Sequence, residues 1–329
     1  MRPEFANGPR DISALKMLRI SVTDRCNLRC VYCMPEEGMV FQEPDALLDV
    51  SQFEAIARVA VDLGVRHIKI TGGEPTLRRD LIHIVEKISR LDIDDLSLTT
   101  NGLQLPRLAQ PLREAGVDRV TLSVDSLRPD TYRRLTRGGR LDVFMRGLDA
   151  AAETFDHVKL NVVVIPGVND QEVADLAALT LHNDWTVRFI EYMPLGESGL
   201  SELPEARTVL SAREIAARIT AVHGPLTPVR RASEVGVGPA QIFTLPSSRG
   251  RIGFIHAMSQ PFCESCNRLR LTAEGVLRSC LFDGGEIALQ RMLNPIDSRA
   301  IRQAFHDCIS LKPRVHARRG NRAMSQLGG

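Results

Sequence analysis

The stretch Leu18-Arg-Ile-Ser-Val-Thr-Asp-Arg-Cys26-Asn-Leu-Arg-Cys30-Val-Tyr-Cys33 joins an apolar alternating run to a loop that carries three cysteines. The alternation predicts a β-strand that ends just before the loop. Three thiols are an informative number, because a structural zinc ion and an iron–sulfur cube each normally take four protein ligands. The loop therefore predicts either a cube with one iron open to a small molecule or a zinc site that is completed from elsewhere in the chain.

Strand-like and helix-like segments alternate after this first strand. The predicted strands are 18–23, 67–71, 95–100, 119–125, 158–165 and 187–192, and the predicted helices are 51–63, 81–91, 105–115 and 171–182. Ser51 is the predicted N-cap of the first helix, with Glu54 at the spacing of a capping box. This alternation predicts βαβ units and a parallel sheet, either open or forming a barrel that lacks two of its eight repeats.

Several predicted strands carry basic residues in positions that would be apolar in a sheet buried on both faces. Arg19, Lys69, Lys159 and Arg188 each share a strand face with other polar residues. The pattern indicates an inner surface that a ligand fills. The alternative is that these residues lie at strand ends in water.

The second strand ends in Thr71-Gly-Gly-Glu-Pro75. In parallel α/β folds the carboxyl ends of the strands form the binding face. Adjacent glycines let the backbone approach a ligand closely, and Glu74 offers a carboxylate to a cationic group. The turn is thus a second candidate binding element.

A second group of three cysteines, Cys263, Cys266 and Cys280, follows in the last third of the chain. His256 could complete a zinc site of three cysteines and one histidine, so on the residues alone zinc and iron–sulfur stay equally open here. Residues 195–209 are predicted as a connection or lid, 211–222 as a helix, and 241–245 with 250–255 as a hairpin. The basic run 312–322 is predicted to be a solvated tail. Cys308 is predicted to be a buried apolar residue.

Composition restricts the class of protein. The chain has 329 residues, a net charge of +2 and 43% hydrophobic residues. A charge so near zero gives no indication of a nucleic-acid or membrane partner. The N-terminal residues show no secretory h-region, and seven cysteines in such a chain read as metal-binding or catalytic thiols in a reducing cytoplasm. We therefore expect a cytoplasmic enzyme.

The spacing Cys26-x3-Cys30-x2-Cys33, followed by Gly72-Gly-Glu-Pro75, resembles the signature of the radical S-adenosylmethionine superfamily. Further stretches are similar to the branch of this superfamily that cyclises GTP in molybdenum cofactor biosynthesis. They are Leu18 to Cys26, Arg188-Phe-Ile-Glu-Tyr-Met-Pro194, the Cys263/Cys266/Cys280 group with Asn267-Arg-Leu-Arg270, and the terminal Gly328-Gly329.

The resemblance implies an α/β fold, an incomplete (βα)6 TIM-type barrel whose open side is covered by a C-terminal α+β extension. The implied domains are a flexible lead at 1–16, the partial barrel at 17–222, and a C-terminal domain at 223–329 with the second cluster and the Gly-Gly tail.

It also implies two [4Fe–4S] clusters, one on Cys26, Cys30 and Cys33 and one on Cys263, Cys266 and Cys280. The implied S-adenosylmethionine contacts are Tyr32, Gly73, Glu74, Ser123, Asn161 and Met193. The implied GTP contacts are Arg19, Lys69, Thr100, Lys159, Arg188, Arg268 and Arg270. Lys69 stands where many relatives have arginine, so it keeps the charge but loses the bidentate fork.

The implied reaction is that of a lyase. A 5′-deoxyadenosyl radical removes the C3′ hydrogen of GTP, and C3′ then attacks C8 of guanine to give (8S)-3′,8-cyclo-7,8-dihydroguanosine 5′-triphosphate. No side chain is implied as acid or base, and Gly328 and Gly329 are implied to enter the active site. The implied partners are GTP, a reductant protein or chemical electron donor, a downstream cyclic pyranopterin monophosphate synthase, and a second copy of the chain in a homodimer.

Two alternatives stay open at this point. A two-cluster radical enzyme that modifies a peptide would share the first cysteine loop but would not need the phosphate-binding cations. A non-catalytic zinc protein with a basic tail for nucleic acid would bind two zinc ions and no iron.

Overall fold

A computed structural model describes residues 10–37, 39–196, 209–230, 236–282, 285–316, 320 and 322–327. The strands are β1 (Met17–Ser21), β2 (His67–Thr71), β3 (Asp95–Thr100), β4 (Arg119–Ser123), β5 (Val158–Val164), β6 (Thr186–Glu191), β7 (Thr227–Pro228), β8 (Gln241–Thr244), β9 (Arg251–Ile255), β10 (Arg268–Leu271), β11 (Val276–Arg278) and β12 (Glu286–Ala288). The helices are α1 (Val50–Asp62), α2 (Leu81–Ser89), α3 (Leu105–Glu114), α4 (Pro129–Thr136), α5 (Leu141–Thr154), α6 (Val173–His182), α7 (Ala212–His223), α8 (Ser298–Ser310) and α9 (Met324–Leu327).

One sheet contains all of these strands, and its central part follows chain order. Strands β1 to β6 lie side by side and parallel, with helices connecting them. The C-terminal third extends both edges of this unit: β9 pairs in parallel with β6, and β10 pairs in parallel with β1. The predicted fold class, six βα units with a C-terminal extension, is confirmed. The domain boundary between 222 and 223 stays a prediction.

The strand predictions hold because the apolar residues alternate strongly. Ile68 and Ile70 of β2 and Leu96 and Leu98 of β3 are buried in a core that also includes Phe305 of α8. Observed strand ends differ from the predicted ends by at most two residues. The predicted hairpin is also present, as antiparallel β8 and β9.

The predicted cap of α1 is wrong. Asp49, not Ser51, is the N-cap: one carboxylate oxygen accepts hydrogen bonds from the Gln52 amide at 2.9 Å and from the Ser51 hydroxyl at 2.6 Å. The Asp49 amide donates to the side-chain oxygen of Gln52 at 3.0 Å, which completes the capping box. Asp49 therefore takes the N-cap role that the sequence pattern predicted for Ser51, two residues later.

Helices α4 and α5 were not predicted. Helix α4 is short and rich in arginine, so its sequence shows no clear apolar face. In the structure, its Tyr132 packs on Phe144 of α5, with ring centroids 6.0 Å apart. Arg137 ends α4 in the left-handed region at a φ of 50°. Most of the predicted lid at 195–209 lies outside the described residues.

A buried ion pair closes the amino-terminal side of the sheet. Arg119, the first residue of β4, donates to both carboxylate oxygens of Asp95, the first residue of β3, at 2.5 and 2.6 Å. Both residues are about 95% buried, being 3% and 5% exposed. Burial acts to raise the pKa of Asp95, but the His67 ring, whose Nδ1 lies 3.8 Å from the carboxylate, and the hydrogen bonds from Arg119 outweigh it and hold that pKa below its ordinary value.

Replacing Arg119 with methionine leaves the buried Asp95 carboxylate without its main partner. We expect Arg119→Met to lower the free energy of unfolding by about 3–5 kcal/mol, measured by urea denaturation at neutral pH. Arg113→Met is the matched control, because Arg113 pairs with Asp156 at the surface and should cost less than about 1 kcal/mol.

The Arg119–Asp95 pair also makes the stability of the fold depend on pH. A carboxyl whose folded pKa is lowered stabilises the fold above its unfolded pKa of about 3.9 and loses that contribution as pH falls below it. The wild type should lose more stability than Arg119→Met between about pH 5 and pH 3. Equal losses in both proteins would mean that Arg119 does not act through Asp95.

Candidate active site

A cavity at one end of the parallel strands brings together most of the predicted site residues. It is lined by Cys26, Cys30 and Cys33, by the predicted S-adenosylmethionine contacts Tyr32, Gly73, Glu74, Ser123, Asn161 and Met193, and by the predicted GTP contacts Arg19, Lys69, Thr100, Arg188, Arg268 and Arg270. Lys159 is buried on β5 but does not line it.

In-register parallel pairing explains why these residues meet. Arg19 is paired with Arg270 on one side and with Lys69 on the other, so three cations stand in a row across β10, β1 and β2. On the opposite side, Asn161 of β5 is paired with Arg188 of β6 and with Ser123 of β4. Residues paired in register point to the same face of a sheet, so the polar faces seen in the sequence become one wall.

The glycine turn packs against the loop before Cys26. The amides of Gly73 and Glu74 donate to the carbonyl oxygens of Thr23 and Arg25 at 2.6 and 2.7 Å. A β-carbon at Gly73 would overlap the Arg25 carbonyl. The glycine is therefore required by a close backbone approach within the protein, in addition to any approach to a ligand expected from the sequence.

Glu74 braces the neighbouring strand end. Its carboxylate accepts hydrogen bonds from the Thr100 hydroxyl at 2.7 Å and the Asn101 amide at 2.6 Å, and also from Thr76. The Asn101 side chain in turn donates to Asn27 in the cysteine loop at 2.8 Å. Burial raises the pKa of Glu74, while these hydrogen bonds act in the opposite direction. No cation is among these partners, so the carboxylate can still attract a positively charged ligand group.

The first three thiols share one buried environment. Burial raises the pKa of Cys26 to about 11 and that of Cys33 to about 12, and it raises the pKa of Cys30 as well. Charge repulsion from Asp125, Cys33 and Cys26 adds to the rise in the pKa of Cys30, and repulsion from Cys26 and Asp125 adds to the rise in that of Cys33. Such thiols become thiolates when a metal displaces their protons, which fits a soft iron–sulfur ligand set.

Asp125 is a second carboxylate near the first thiol group. It accepts the Tyr32 hydroxyl at 2.7 Å and the Val163 amide at 2.8 Å. Burial raises the pKa of Asp125 to about 6 against these two hydrogen bonds. The aspartate thereby fixes the orientation of Tyr32 at the cavity wall.

The cations of the wall are crowded and incompletely paired. Burial, then the charges of Arg270, Arg268 and Arg188, lower the pKa of Arg19. Burial lowers the pKa of Arg188 to about 9 and that of Arg270 to about 10. Among the described residues, the Nε atoms of Arg19, Arg188 and Arg268 have no hydrogen-bond partner. Buried donors of this kind fit a bound polyanion.

The second thiol group differs from the first in its electrostatics. Lys312 and then Arg268 lower the pKa of Cys266 to about 6, although burial acts to raise it. The pKa of Cys263 is raised, mainly by burial and also by Cys280 and Cys266. These three thiols do not line the cavity, but Cys266 interacts electrostatically with Arg268 and with Arg270, which do.

Within the described residues, which include His256 and both groups of three cysteines, no group of three or more His, Cys, Asp and Glu side chains is placed to hold a metal ion. The zinc site with His256 therefore has no support from the structure, and the metal at the second cysteine group stays a prediction. The basic run is a correction, because Lys312 is 5% exposed and His316 stacks on Phe282 with ring centroids 4.0 Å apart. The start of the run is therefore packed against the second thiol group and is not a solvated tail. Cys308 is fully buried, as predicted.

Four residues at the site were not predicted as site residues from the sequence: Asp125, Asn101, Lys312 and Ser325. Asp125 had a signal, since it stands in Ser123-Val-Asp-Ser126 at a strand end. Ser325 of α9 lines the cavity, and its backbone lies close enough to Cys33 to oppose the rise in that thiol's pKa. Nothing local to the sequence marks Lys312 or Ser325.

The glycine turn gives a direct test of its packing role. Gly73→Ala should destabilise the metal-free protein by about 1–3 kcal/mol in urea denaturation, because the new methyl group forces the turn away from the cysteine loop. Gly238→Ala is the control, since a β-carbon there meets nothing within 4 Å, and it should change stability by less than about 0.5 kcal/mol. Equal effects would show that the Gly73 contact is relaxed at little cost.

Comparison with known proteins agrees with this arrangement. Residues 20–180 match the Radical SAM superfamily model, and residues 185–318 match the Molybdenum Cofactor Synthesis C model. The chain is 47% identical to the GTP 3′,8-cyclase of Pelotomaculum thermopropionicum over 322 residues, which covers 96% of this chain and 98% of the relative. It is 45% identical to that of Desulforamulus reducens, with 96% and 98% covered, and 39% identical to that of Listeria monocytogenes, with 95% and 96% covered.

A solved structure supports the fold alone. Streptococcus suis SuiB bound to S-adenosylmethionine superposes with a TM-score of 0.60 at 16% identity, over 82% of this chain and 61% of that chain. In the described residues, no helix is both long enough and apolar enough to cross a membrane. With relatives this similar over nearly its whole length, the chain belongs to the GTP 3′,8-cyclase family of radical S-adenosylmethionine enzymes.

Proposed function

We propose that this protein converts GTP to (8S)-3′,8-cyclo-7,8-dihydroguanosine 5′-triphosphate, the first step of molybdenum cofactor biosynthesis, in the cytoplasm. The observation that carries the proposal is that negative and positive side chains occupy separate parts of one cavity. Its carboxylates, Glu74 and Asp125, lie near the first thiol group, and its cations lie on the wall that leads to the second. One cavity can thus hold a cationic and an anionic ligand side by side.

The carboxylate end suits S-adenosylmethionine, which carries a sulfonium and an ammonium group. Glu74 offers its charge toward the ammonium group, and Tyr32, which is held by Asp125, lies within the thiol loop. Gly73, Ser123, Asn161 and Met193 form the remaining wall, and the carbonyl oxygen of the Asn161 side chain has no partner among the described residues. That oxygen is free to accept a hydroxyl or amine of the ligand.

The cationic wall suits a triphosphate, which carries about four negative charges. Guanidinium groups bind phosphate oxygens through two parallel hydrogen bonds. Lys69 is held by weak contacts to Thr99 and Thr121, at 3.4 and 3.3 Å, so its ammonium group can turn to a phosphate. A bound triphosphate would relieve the mutual repulsion that lowers the pKa of Arg19. Thr100 and Lys159 are the remaining proposed GTP contacts.

The three thiols of Cys26, Cys30 and Cys33 would hold one [4Fe–4S] cluster, and those of Cys263, Cys266 and Cys280 a second. When bound, the first cluster supplies the electron that cleaves S-adenosylmethionine to methionine and a 5′-deoxyadenosyl radical. The residues of the chain bind, orient and shield the reactants, and holding both in one cavity raises their effective concentration. Arg268 and Arg270 place positive charge between the second thiol group and the GTP site.

Other parts of the proposal lie beyond the cavity. Gly328 and Gly329 lie outside the described residues, so their entry into the active site remains a proposal from the family resemblance. An external reductant, a downstream cyclic pyranopterin monophosphate synthase and a homodimer belong to the proposal on the same ground.

Metal analysis distinguishes this proposal from the zinc alternative. Protein purified without oxygen should contain about eight irons and eight sulfides per chain. Replacing Cys26, Cys30 and Cys33 together with alanine should leave about four irons, and so should replacing Cys263, Cys266 and Cys280. Two zinc ions and no iron would contradict the proposal.

Nucleotide binding tests the cationic wall. Arg188→Met should weaken GTP binding by about tenfold or more in calorimetry, because hydrogen bonds between charged groups contribute about 1.5–3 kcal/mol each. Guanosine has no phosphates, so its affinity should change much less. Arg113→Met, at an exposed surface, is the control.

Turnover then tests the reaction itself. Reduced wild-type protein with S-adenosylmethionine should form 5′-deoxyadenosine and the cyclised nucleotide when GTP is added, and Arg188→Met should form less of both. A wild type that forms no 5′-deoxyadenosine above background with GTP would contradict the cyclase assignment and favour a peptide substrate.

A further inference from the structure

The ammonium group of Lys312 is buried against the second thiol group. Its Nζ atom donates to Cys266 Sγ at 3.2 Å, to the Arg268 carbonyl at 2.5 Å and to the Ser279 carbonyl at 3.1 Å. A lysine ammonium has three donors and no acceptor, so all of its hydrogen-bonding capacity is used at this point. Because Ser279 directly precedes Cys280, one side chain ties together the two chain segments that carry Cys266 and Cys280.

In the part of the chain that the structure describes, Lys312 has no carboxylate partner, and Arg268 adds a second positive charge near the same thiol. Within the described part of the chain, its three bonds go to one sulfur and two carbonyl oxygens, and the nearby charged side chains include Arg268. An ammonium group that is only 5% exposed is costly without a negative partner. The sulfur ligands of the second thiol group are the groups that can supply this negative charge.

The residues on either side of Lys312 reinforce the contact. The carbonyl of Leu311 accepts the Ser279 hydroxyl at 3.4 Å, and the amide of His316 donates to Cys263 Sγ at 3.4 Å. The His316 ring is itself fixed by a 2.7 Å hydrogen bond with the Ala257 carbonyl and by stacking on Phe282. Residues 311–316, here named the clamp segment, therefore touch Cys263, Cys266 and the residue beside Cys280.

Hydrogen bonds and positive charge at cluster sulfurs have a known physical effect. They favour the reduced state of an iron–sulfur cluster, which carries one more negative charge than the oxidised state, and so raise its reduction potential. They also fix the orientation of the ligands, which slows loss of the cluster. Both effects require a donor of fixed position, and the three bonds of Lys312 provide one.

We propose that Lys312 is a positioning residue for a cluster at Cys263, Cys266 and Cys280, and that its charge raises the reduction potential of that cluster. The inference rests on the proposed second cluster. It assigns a role to the clamp segment that is separate from GTP binding, because Lys312 does not line the cavity.

The test uses the full-length chain with Cys26, Cys30 and Cys33 replaced by alanine, so that only a cluster at the second site is observed. In this background we compare three single substitutions, two at Lys312 and one at Lys87. Lys312→Met removes the charge and the donors, and Lys312→Arg keeps the charge in a different shape. Lys87→Met removes an exposed lysine on α2 and is the control. The readouts are the midpoint potential from a redox titration followed by electron paramagnetic resonance, and the rate of iron release to a chelator.

We expect Lys312→Met to give a more negative midpoint potential and iron release that is faster by about tenfold or more, as for loss of a hydrogen bond to a charged group. Lys312→Arg should lie between Lys312→Met and the unchanged background. Lys87→Met should match the background in both readouts.

The unfavourable outcomes are distinguishable. If the background protein binds no iron, the proposed second cluster is contradicted, and the Lys312 inference is overturned with it. A cluster that forms in the background but keeps its potential and release rate in Lys312→Met would overturn the inference alone. Should Lys312→Met fail to fold by circular dichroism, Lys312→Gln keeps two donors and removes the charge, and an unchanged potential in that variant is equally decisive against it.

Discussion

The constraint on which the rest of this structure depends is the parallel register that places like charges side by side. Arg270, Arg19 and Lys69 occupy equivalent positions on three adjacent strands, so their side chains leave the sheet on the same face. Burial, followed by the charges of nearby arginines, lowers the pKa of Arg19 and that of Lys69; the largest of these charges is Arg270 for Arg19 and Arg119 for Lys69. The apolar residues that alternate with them, such as Ile20 and Ile70, are fully buried and hold the strands in that register.

On the other side of the cavity, a network of short hydrogen bonds holds the negatively charged Glu74 in place. Glu74 fixes the end of β3 through Thr100 and Asn101, and Asn101 reaches the cysteine loop through Asn27. The glycine turn brings the same loop within backbone hydrogen-bonding distance. The first thiol group is therefore placed by packing between two loops, and the negative charge beside it is held by the same contacts.

The C-terminal third completes the site by joining the sheet at both edges. Strand β10 brings Arg268 and Arg270 beside β1, and the thiols of Cys263 and Cys266 precede this strand directly. Strand β9 joins β6 at the other edge. The two halves of the chain thus share one sheet and one hydrophobic core, and this is why the first thiol group and the arginines beside the second thiol group line the same cavity.

Much of the fold could be predicted because its signals are local. Alternating apolar residues predicted the six central strands, and the basic residues at Arg19, Lys69 and Arg188 predicted a polar inner wall that the structure places along the cavity. Local signals failed where competing partners decided the outcome. Asp49 displaced Ser51 as the cap of α1, and Lys159 on the same kind of polar strand face does not reach the cavity wall.

By itself, the sequence determined the identity and spacing of the thiols, the glycine turn, the strand pattern and the presence of the basic residues, because each depends on neighbours along the chain. Only the tertiary structure decided that Gly73 is required by the Arg25 carbonyl, that Tyr32 is held by Asp125, and that Lys312 is buried at Cys266. Those contacts join residues separated by 46 to 93 positions. Such contacts depend on how the strands and loops pack, and no periodicity in the chain encodes them.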